Sequence, residues 1–518
     1  MNWLDGLIGW ISPRAGYQRE IYRQAMEYSR NYDAAGYDRL NANWRVINES
    51  AEMTDRFDRD TLRARARDLE RNSDIMNAVI RAYKRNVYGA GYRLRANSGS
   101  EELNQKLERY WKIWCKQQNC DVTGTQCFDA MMRMAVARKK IDGGILFLKR
   151  YTADGLIPFK LQLLEVDELD IASMTPKSTK NRVAGGIEYN QYNRPVGYFI
   201  RHYSIDGMEI RDPVYVEAKD VIFHYEKTRP SQIREISDMA PTITRIRDTN
   251  EFMRAVSVKE RILSCLAIFI KRVFPQAGIG AGKIGRTASG GERPEIYSGK
   301  TITPGMIQYL NAEDSVDVVN PSGQATDAAS YIKQELRLVG SGQGLSYETT
   351  SRDMSESNYS SARQGMIEDE LTYIEDRDML LHVMDEIYET FVISLVLSGK
   401  VEIRDFWERK EIYMDHSWIQ APKKWIDPLK EANANKIALV TGQKTWADLA
   451  AENGKDWKEQ INEIAEILDY GRSKGIDMGG VIFGKGNPVS MGDGEGKGEG
   501  SKRTDDPVHA RSDPNGRK

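Results

Sequence analysis

The chain has 518 residues, with 74 Lys and Arg set against 76 Asp and Glu, for a net charge of −2. That balance excludes a protein whose main work is gripping nucleic acid by phosphate neutralisation, while leaving room for DNA that passes over a mixed surface. A 40% hydrophobic and 29% charged composition describes a folded, polar-surfaced chain long enough for several domains.

Residues 1–59 read as an N-terminal arm. Met1–Ile11 is apolar but carries Asp5 and lacks a basic start, so it is not a secretory signal. Arg14, Tyr17, Arg19, Tyr22 and Arg23 then interleave charge with aromatic rings. In a neutral chain that pattern suits an arm lying on a neighbouring subunit better than a base-stacking surface.

From Asp58 to Val87, Leu62, Ala66, Leu69, Ile75, Val79 and Tyr83 recur at helical spacing, and Asn72-Ser73-Asp74 interrupts them and offers N-cap residues for a second helix. Gly89 and Gly91 close the second, and Tyr92–Arg95 alternates as a strand. Helices are expected over 101–114 and 127–140. Cys115, Cys120 and Cys127 lie here with no His nearby, a spacing that fits reduced thiols and no zinc pattern. Strands of period two follow at 145–150, 159–163, 186–189, 197–200 and 221–224.

Pro241 opens a long helix predicted to reach Arg272. Its best apolar run, Ile262–Phe274, is broken by Ser264, Lys271 and Arg272, short of the ~18 apolar residues a membrane span needs. Residues 275–327 read as a small β-containing insert around a helix at 304–310. Two motifs there fail: Gly280-x-Gly282-x-x-Gly285 follows no strand, and Gly299-Lys300-Thr301 lacks the earlier glycine of a phosphate loop. A helix at 328–338 leads into a polar, small-residue loop, Gly340–Arg363, and then a long helix from about Ser357 to Leu397, closed by Ser398-Gly399. Asp405–Asp415 is compact and aromatic, and helices are expected at 430–440, 445–453 and 457–470. The Gly-rich, charged tail 484–518 is expected to be disordered.

No catalytic pattern emerges. The five His are scattered, no metal spacing or G-x-S-x-G elbow occurs, and Glu368-Asp369-Glu370 with Glu375-Asp376 read as a solvated or inter-subunit helix face. No cofactor or metal is expected.

Four stretches, in order, carry a resemblance. They are Arg65-Ala66-Arg67-Asp68-Leu69-Glu70-Arg71-Asn72 with Asn86–Gly91; His224-Tyr225 with Arg229-Pro230-Ser231-Gln232-Ile233-Arg234-Glu235; Gly344–Glu348 with Ser351-Arg352-Asp353 and Asn358–Arg363; and Trp425–Glu431 with Gly442 and Thr445. Together they make the chain similar to the portal proteins of lambda-type tailed bacteriophages. The resemblance implies an α+β, mainly helical portal fold that forms a ring, typically of twelve copies. Its parts map as an α/β wing (60–238, with the long helix and following segment 357–417), a stem (241–272 and 328–339), a clip (275–327) and a helical crown (418–470).

By the same resemblance the ring is a non-enzymatic, DNA-conducting part of the virion, assembled in the host cytoplasm without a membrane. It nucleates head assembly, passes double-stranded DNA inward under a terminase and outward at ejection, and docks major capsid, scaffolding and head-completion or tail adaptor proteins. Residues 340–363 become the tunnel-loop region, with Ser351, Arg352, Asp353, Ser355, Ser357, Asn358, Ser360, Ser361 and Arg363 as candidate channel residues. Lys283, Arg286, Arg293 and Lys300 become a candidate terminase- or connector-facing set in the clip. The alternatives are a Mg²⁺-dependent DNA-processing enzyme and a scaffold that conducts nothing.

Overall fold

In the computed structural model, the structure describes residues 10, 12–28, 48–204, 206–207, 211–264, 268–271, 307–310, 327–422 and 428–476. They fall into two units, Met1–Trp418 and Ile419–Lys518. The insert residues Lys283, Arg286, Arg293 and Lys300, and the tail 484–518, lie outside the described residues.

The first unit is organised on two consecutive helices and one strand. Helix α1 (Arg59–Asn72) ends at Ser73, whose hydroxyl accepts from the Met76 amide at 3.3 Å and so starts helix α2 (Asp74–Tyr83), as the sequence predicts. Ile75, Met76, Val79, Ile80 and Tyr83 bury one face. A wider turn, Lys84–Tyr88, stops at Gly89 with φ +61; a Cβ there would meet the Arg85 carbonyl oxygen at 2.7 Å, so only glycine ends it this way. Strand β1 (Tyr92–Ala96) follows, then helices α3 (Glu101–Trp114) and α4 (Phe128–Asp142).

Strand β2 (Gly144–Arg150) is the centre of an antiparallel three-stranded sheet, with Phe147 opposite Leu163 of β3 (Lys160–Leu164) and opposite Ile222 of β8 (Val221–Tyr225). Alternation sorts its side chains between two cores. Ile145 and Phe147 join the large core of the helices, while Leu146 and Leu148 join a smaller one with Ile187, Tyr198 and Ile200. The smaller core is backed by a four-stranded antiparallel sheet: β4 (Arg182–Ala184), β5 (Ile187–Tyr189), β6 (Pro195–Ile200) and β7 (Val214–Glu217).

The large core is aromatic. Trp114 stacks on Phe159 with centroids 5.3 Å apart and donates from Nε1 to the Phe159 carbonyl at 2.9 Å; Trp111 touches Trp114, Phe128, Tyr388, Phe391 and Trp418. Tyr388 and Phe391 belong to the long helix α8 (Tyr359–Leu397), a 39-residue rod whose C-terminal half is buried through Leu380, Met384, Ile387 and Leu395. Gly399, at φ +68, follows its end as expected, and a short helix, α9 (Lys410–Tyr413), comes after it.

Two predicted helices are corrected. The helix from Pro241 runs as α5 (Ile243–Ser264), and beyond it Ile268–Lys271 is strand β9. It pairs in parallel with β10 (Ile307–Leu310), where a helix was expected. Ile268-Phe269-Ile270 and Ile307-Gln308-Tyr309 are β-branched and aromatic runs, and pairing lets that preference override the helical spacing around them. Helix α6 (Ala328–Gly342) continues three residues past the predicted stem boundary.

In the second unit, helices α10 (Pro428–Val440), α11 (Trp446–Glu452) and α12 (Trp457–Ser473) match the predicted segments. Thr445 and Asp448 form a capping box, and Asp456 caps the last helix.

Candidate functional site

The stretch 340–363 is more ordered than a polar loop. Gly340 and Gly342 complete helix α6, and Tyr347–Ser351 forms a helical turn, α7. That leaves 343–346 and 352–358 as connectors before α8. A Cβ on Gly340 would lie 2.7 Å from the Leu345 carbonyl oxygen, so the turn doubles back this tightly only because the residue is glycine. The Leu345 amide bonds to that Gly340 carbonyl at 2.8 Å, and Leu345 is buried.

Asp369 anchors the turn. Buried on α8, its carboxylate accepts the Ser346 amide at 2.6 Å, the Ser346 hydroxyl at 2.8 Å and the Thr349 hydroxyl. Ser346 in turn caps α7 by accepting from the Thr349 amide at 3.3 Å. The expectation of a solvated face therefore fails at Asp369: a carboxylate beside three donors belongs inside, because the donors replace its lost water.

Beyond the anchor the chain is exposed. Arg352 adopts a left-handed conformation with φ +60, and Arg352, Asp353, Ser355, Asn358, Ser360, Ser361 and Arg363 face outward; Ser351 and Ser357 are half-buried. Ser351 is tied to the Tyr347 carbonyl at 2.8 Å and Ser357 to Glu348 at 2.7 Å. Asn358 accepts from the Ser361 amide at 2.8 Å while the Ser361 hydroxyl takes the Asn358 amide at 3.1 Å, a capping box that starts α8. Ser360, Ser361 and Arg363 are therefore helical, and the connector proper is Arg352–Asn358.

A buried charge cluster lies under the other end of the turn. The Gln343 side-chain amide donates to the Asp238 carbonyl at 3.1 Å and the Thr242 hydroxyl at 3.2 Å, and the Gln343 backbone carbonyl accepts from the Tyr83 hydroxyl. The Lys140 ammonium sits 4.0 Å from the centre of the Tyr83 ring. Lys139 and Lys140 reach Asp376 of α8 at 2.5 and 2.7 Å and Asp238 at 3.0 and 3.2 Å, and Lys139 also meets Glu226 at 2.8 Å. Burial alone raises a carboxyl, yet Lys140 and Lys139 hold Asp376 below its usual range. At Asp238 burial prevails and pushes the group up, in keeping with its longer contacts. Nearby His224 is fully buried beside Lys139, which drives its pKa down to about 4 and keeps it neutral.

Glu226, Asp238 and Asp376 stand close enough to share a cation. The two lysine ammonium groups already supply that positive charge at ion-pair distance, so the arrangement is a structural ion-pair network and gives no support to Mg²⁺ chemistry. Asp376, like Asp369, departs from the expected solvated face. The adjacent lysines, just beyond the largely apolar stretch Met131–Ala137, were the available signal for the cluster, and the spacing of Glu375-Asp376 did not reveal which carboxylate turns inward.

The helix that carries the first motif stretch also meets the second stretch, through Arg59 and Arg63. Arg63 of α1 pairs with Glu235 at 3.0 Å and Asp167 at 2.9 Å, Arg67 with Asp142 at 2.7 Å and Asp167 at 2.6 Å, and Arg59 donates to the Glu235 carbonyl at 3.0 Å. Fully buried Arg234 clasps Glu235 at 2.7 Å and spends its remaining donors on the carbonyls of Gly185 and Val166. These charges form a framework that fixes the first helix against the sheets and the segment leading into α5.

The phage portal protein, lambda family, model matches residues 37–377, which takes in both the arginine–glutamate framework and the anchored turn. The chain belongs to this family. Lambda-family portal relatives align along most of their length. A probable portal protein of Halomonas phage phiHAP-1 is 24% identical over 471 residues, covering 88% of this chain and 89% of the relative. Portal protein B of Escherichia phage lambda is 21% identical over 445 residues, covering 78% and 83%. Among solved structures, a chain from the virion of a native gene transfer agent particle aligns at 10% identity and a TM-score of 0.37, covering 77% of this chain and 93% of that one. The lambda portal family is structural rather than catalytic.

Proposed function

We propose that copies of this chain form the ring at one capsid vertex through which double-stranded DNA enters under a terminase and later leaves. In this reading the chain resides in the virion, nucleates the head, and docks capsid, scaffolding and head-completion or tail proteins. The observation that carries it is the family match running unbroken from residue 37 to residue 377. Arg352–Asn358 then serves as the channel loop. Its exposed hydroxyl, amide and mixed-charge side chains stay hydrated and offer no dense cationic grip, so DNA can slide. The turn behind it, held by Asp369 and Tyr83, keeps the loop presented at a fixed position. The basic residues Lys283, Arg286, Arg293 and Lys300 remain the proposed contacts for the motor or connector.

Negative-stain images of the purified protein test the ring directly: about twelve subunits around a hole are expected, and a monomer or dimer at micromolar concentration rejects the reading. For the loop, Arg352→Glu with Arg363→Glu is expected to leave assembly intact and lower packaged-DNA retention. Unchanged packaging and retention in that variant would remove the loop from the mechanism.

A further inference from the structure

The second unit leaves most of its apolar side chains uncovered. Among its described residues the buried apolar ones are Ile419, Ala438, Leu449 and Ala450, two of them alanines. Leu429, Ile437, Val440, Ile467 and Tyr470 are between 46% and 81% exposed. Its helices have 13, 7 and 17 residues. Helices of this size draw their stability from packing an apolar face, and these faces have little to pack on.

The uncovered residues form two different stripes. On α10, Leu429, Lys436 and Val440 recur at helical spacing, with Ile437 beside them; Lys436 is exposed. On α12, Glu463, Glu466, Ile467 and Tyr470 share one side, and both glutamates are exposed. One stripe is apolar with a lysine, and the other is apolar with two carboxylates, of which Glu463 also lies 3.4 Å from Lys455 of its own chain.

We propose that α10 of one copy docks along α12 of the adjacent copy, Leu429 and Val440 against Ile467 and Tyr470, with Lys436 facing Glu463 and Glu466. Charge selects this pairing. A contact of either stripe with itself would set lysine against lysine or glutamates against glutamates, which is unfavourable. A contact between two unlike faces of identical chains is head-to-tail, and such contacts propagate around a closed ring, whereas a self-matched face stops at a dimer. The inference rests on the ring reading and specifies where that ring is sealed in this unit.

The test uses the full-length protein with Val440→Cys, Tyr470→Cys, both together, and the unsubstituted chain as the background for its native cysteines. Each sample is sized by light scattering, mildly oxidised, and run on a non-reducing gel. The double variant is expected to give a ladder of linked subunits, and the single variants no more than background. Assembled rings of the double variant without a ladder overturn the contact, as do dimers from Val440→Cys alone, which mark a self-matched face. If all four proteins are monomers, the ring reading itself fails, and the contact with it. In the same assay Lys436→Glu is expected to lower ladder yield by up to about fivefold, the scale of an exposed ion pair, and adding Glu466→Lys to restore it. Loss without restoration rejects the charge pairing.

Discussion

The Asp369 carboxylate receives both the backbone amide and the hydroxyl of Ser346, 23 residues earlier, at 2.6 and 2.8 Å. One side chain of the long helix therefore holds the start of the short turn α7 and, through the Thr349 hydroxyl, its first winding. Replacing it strands donors in a buried place. Asp369→Ala is expected to cost about 2–4 kcal/mol, counting the lost charged hydrogen bonds and the unpaired groups left behind. Hydrogen exchange should locate the effect, with amides 346–351 exchanging much faster and those of α1 unchanged. A uniform change across the first unit would argue against a local anchor.

The Lys140–Asp376 pair gives a second prediction. Both groups are buried, so Lys140→Met or Asp376→Leu alone is expected to destabilise by about 3–5 kcal/mol, by unbalancing the buried charges that Lys139 and Asp238 complete. Together they are expected to cost less than the sum of the two. Urea unfolding of the two singles and the double gives the coupling directly, and simple additivity would contradict the pairing.

His416 predicts a pH dependence. Its Nε2 lies 3.0 Å from an Asp385 oxygen and its Nδ1 2.8 Å from the Met414 carbonyl, so both ring nitrogens face acceptors and only the imidazolium donates to both. Burial lowers the pKa, but the hydrogen bonds to Asp385 and Met414 and the nearby Asp385 and Asp415 charges together outweigh it, and the net shift is upward from 6.5. A raised folded-state pKa means the stabilisation is complete below the unfolded value and is lost as pH rises through the folded one. The difference in stability between the natural protein and His416→Gln should therefore be full below the unfolded pKa and shrink as pH rises through the raised folded one. A difference that grows with pH would show that the ring is neutral in the folded protein.

His224 predicts the opposite sign. With a folded pKa near 4 against 6.5, the unfolded chain binds the proton first, so stability falls as pH drops through that window. The full shift corresponds to about 3 kcal/mol. His224→Leu should flatten the acid limb of the stability–pH curve, read by chemical unfolding at several pH values; an unchanged limb would mean another group governs acid unfolding.

Much of the first unit was legible in the sequence because local signals agreed there. Asn72-Ser73-Asp74 announces a cap, which Ser73 supplies, Gly89 a stop, and Ile145–Arg150 a strand, and each also packs as its pattern implies. The signal failed where pairing across distance decided the outcome. Ile268–Lys271 became a strand because Ile307–Leu310 lies beside it, and helical spacing cannot report a partner that far along the chain. The loop residues read as polar from the sequence alone, but what supports them does not. Asp369 and Asp376 look like any other carboxylates on a charged helix until Ser346, Lys139 and Lys140 are brought to them by the fold. The resemblance located the loop, and tertiary contacts revealed what holds it.

The aromatic centre of the first unit has an optical consequence. Trp111 and Trp114 lie with ring centroids 5.1 Å apart, and Trp418 sits 5.6 Å from Trp111. Indoles this close couple their electronic transitions, so the near-ultraviolet circular dichroism of the chain should carry a strong signature from this one spot. Trp418 is the last residue of its unit, which places the chromophore where the chain leaves the large core. Any rearrangement that draws residue 418 away would change that spectrum without an added label, giving an intrinsic gauge of strain in the assembled particle.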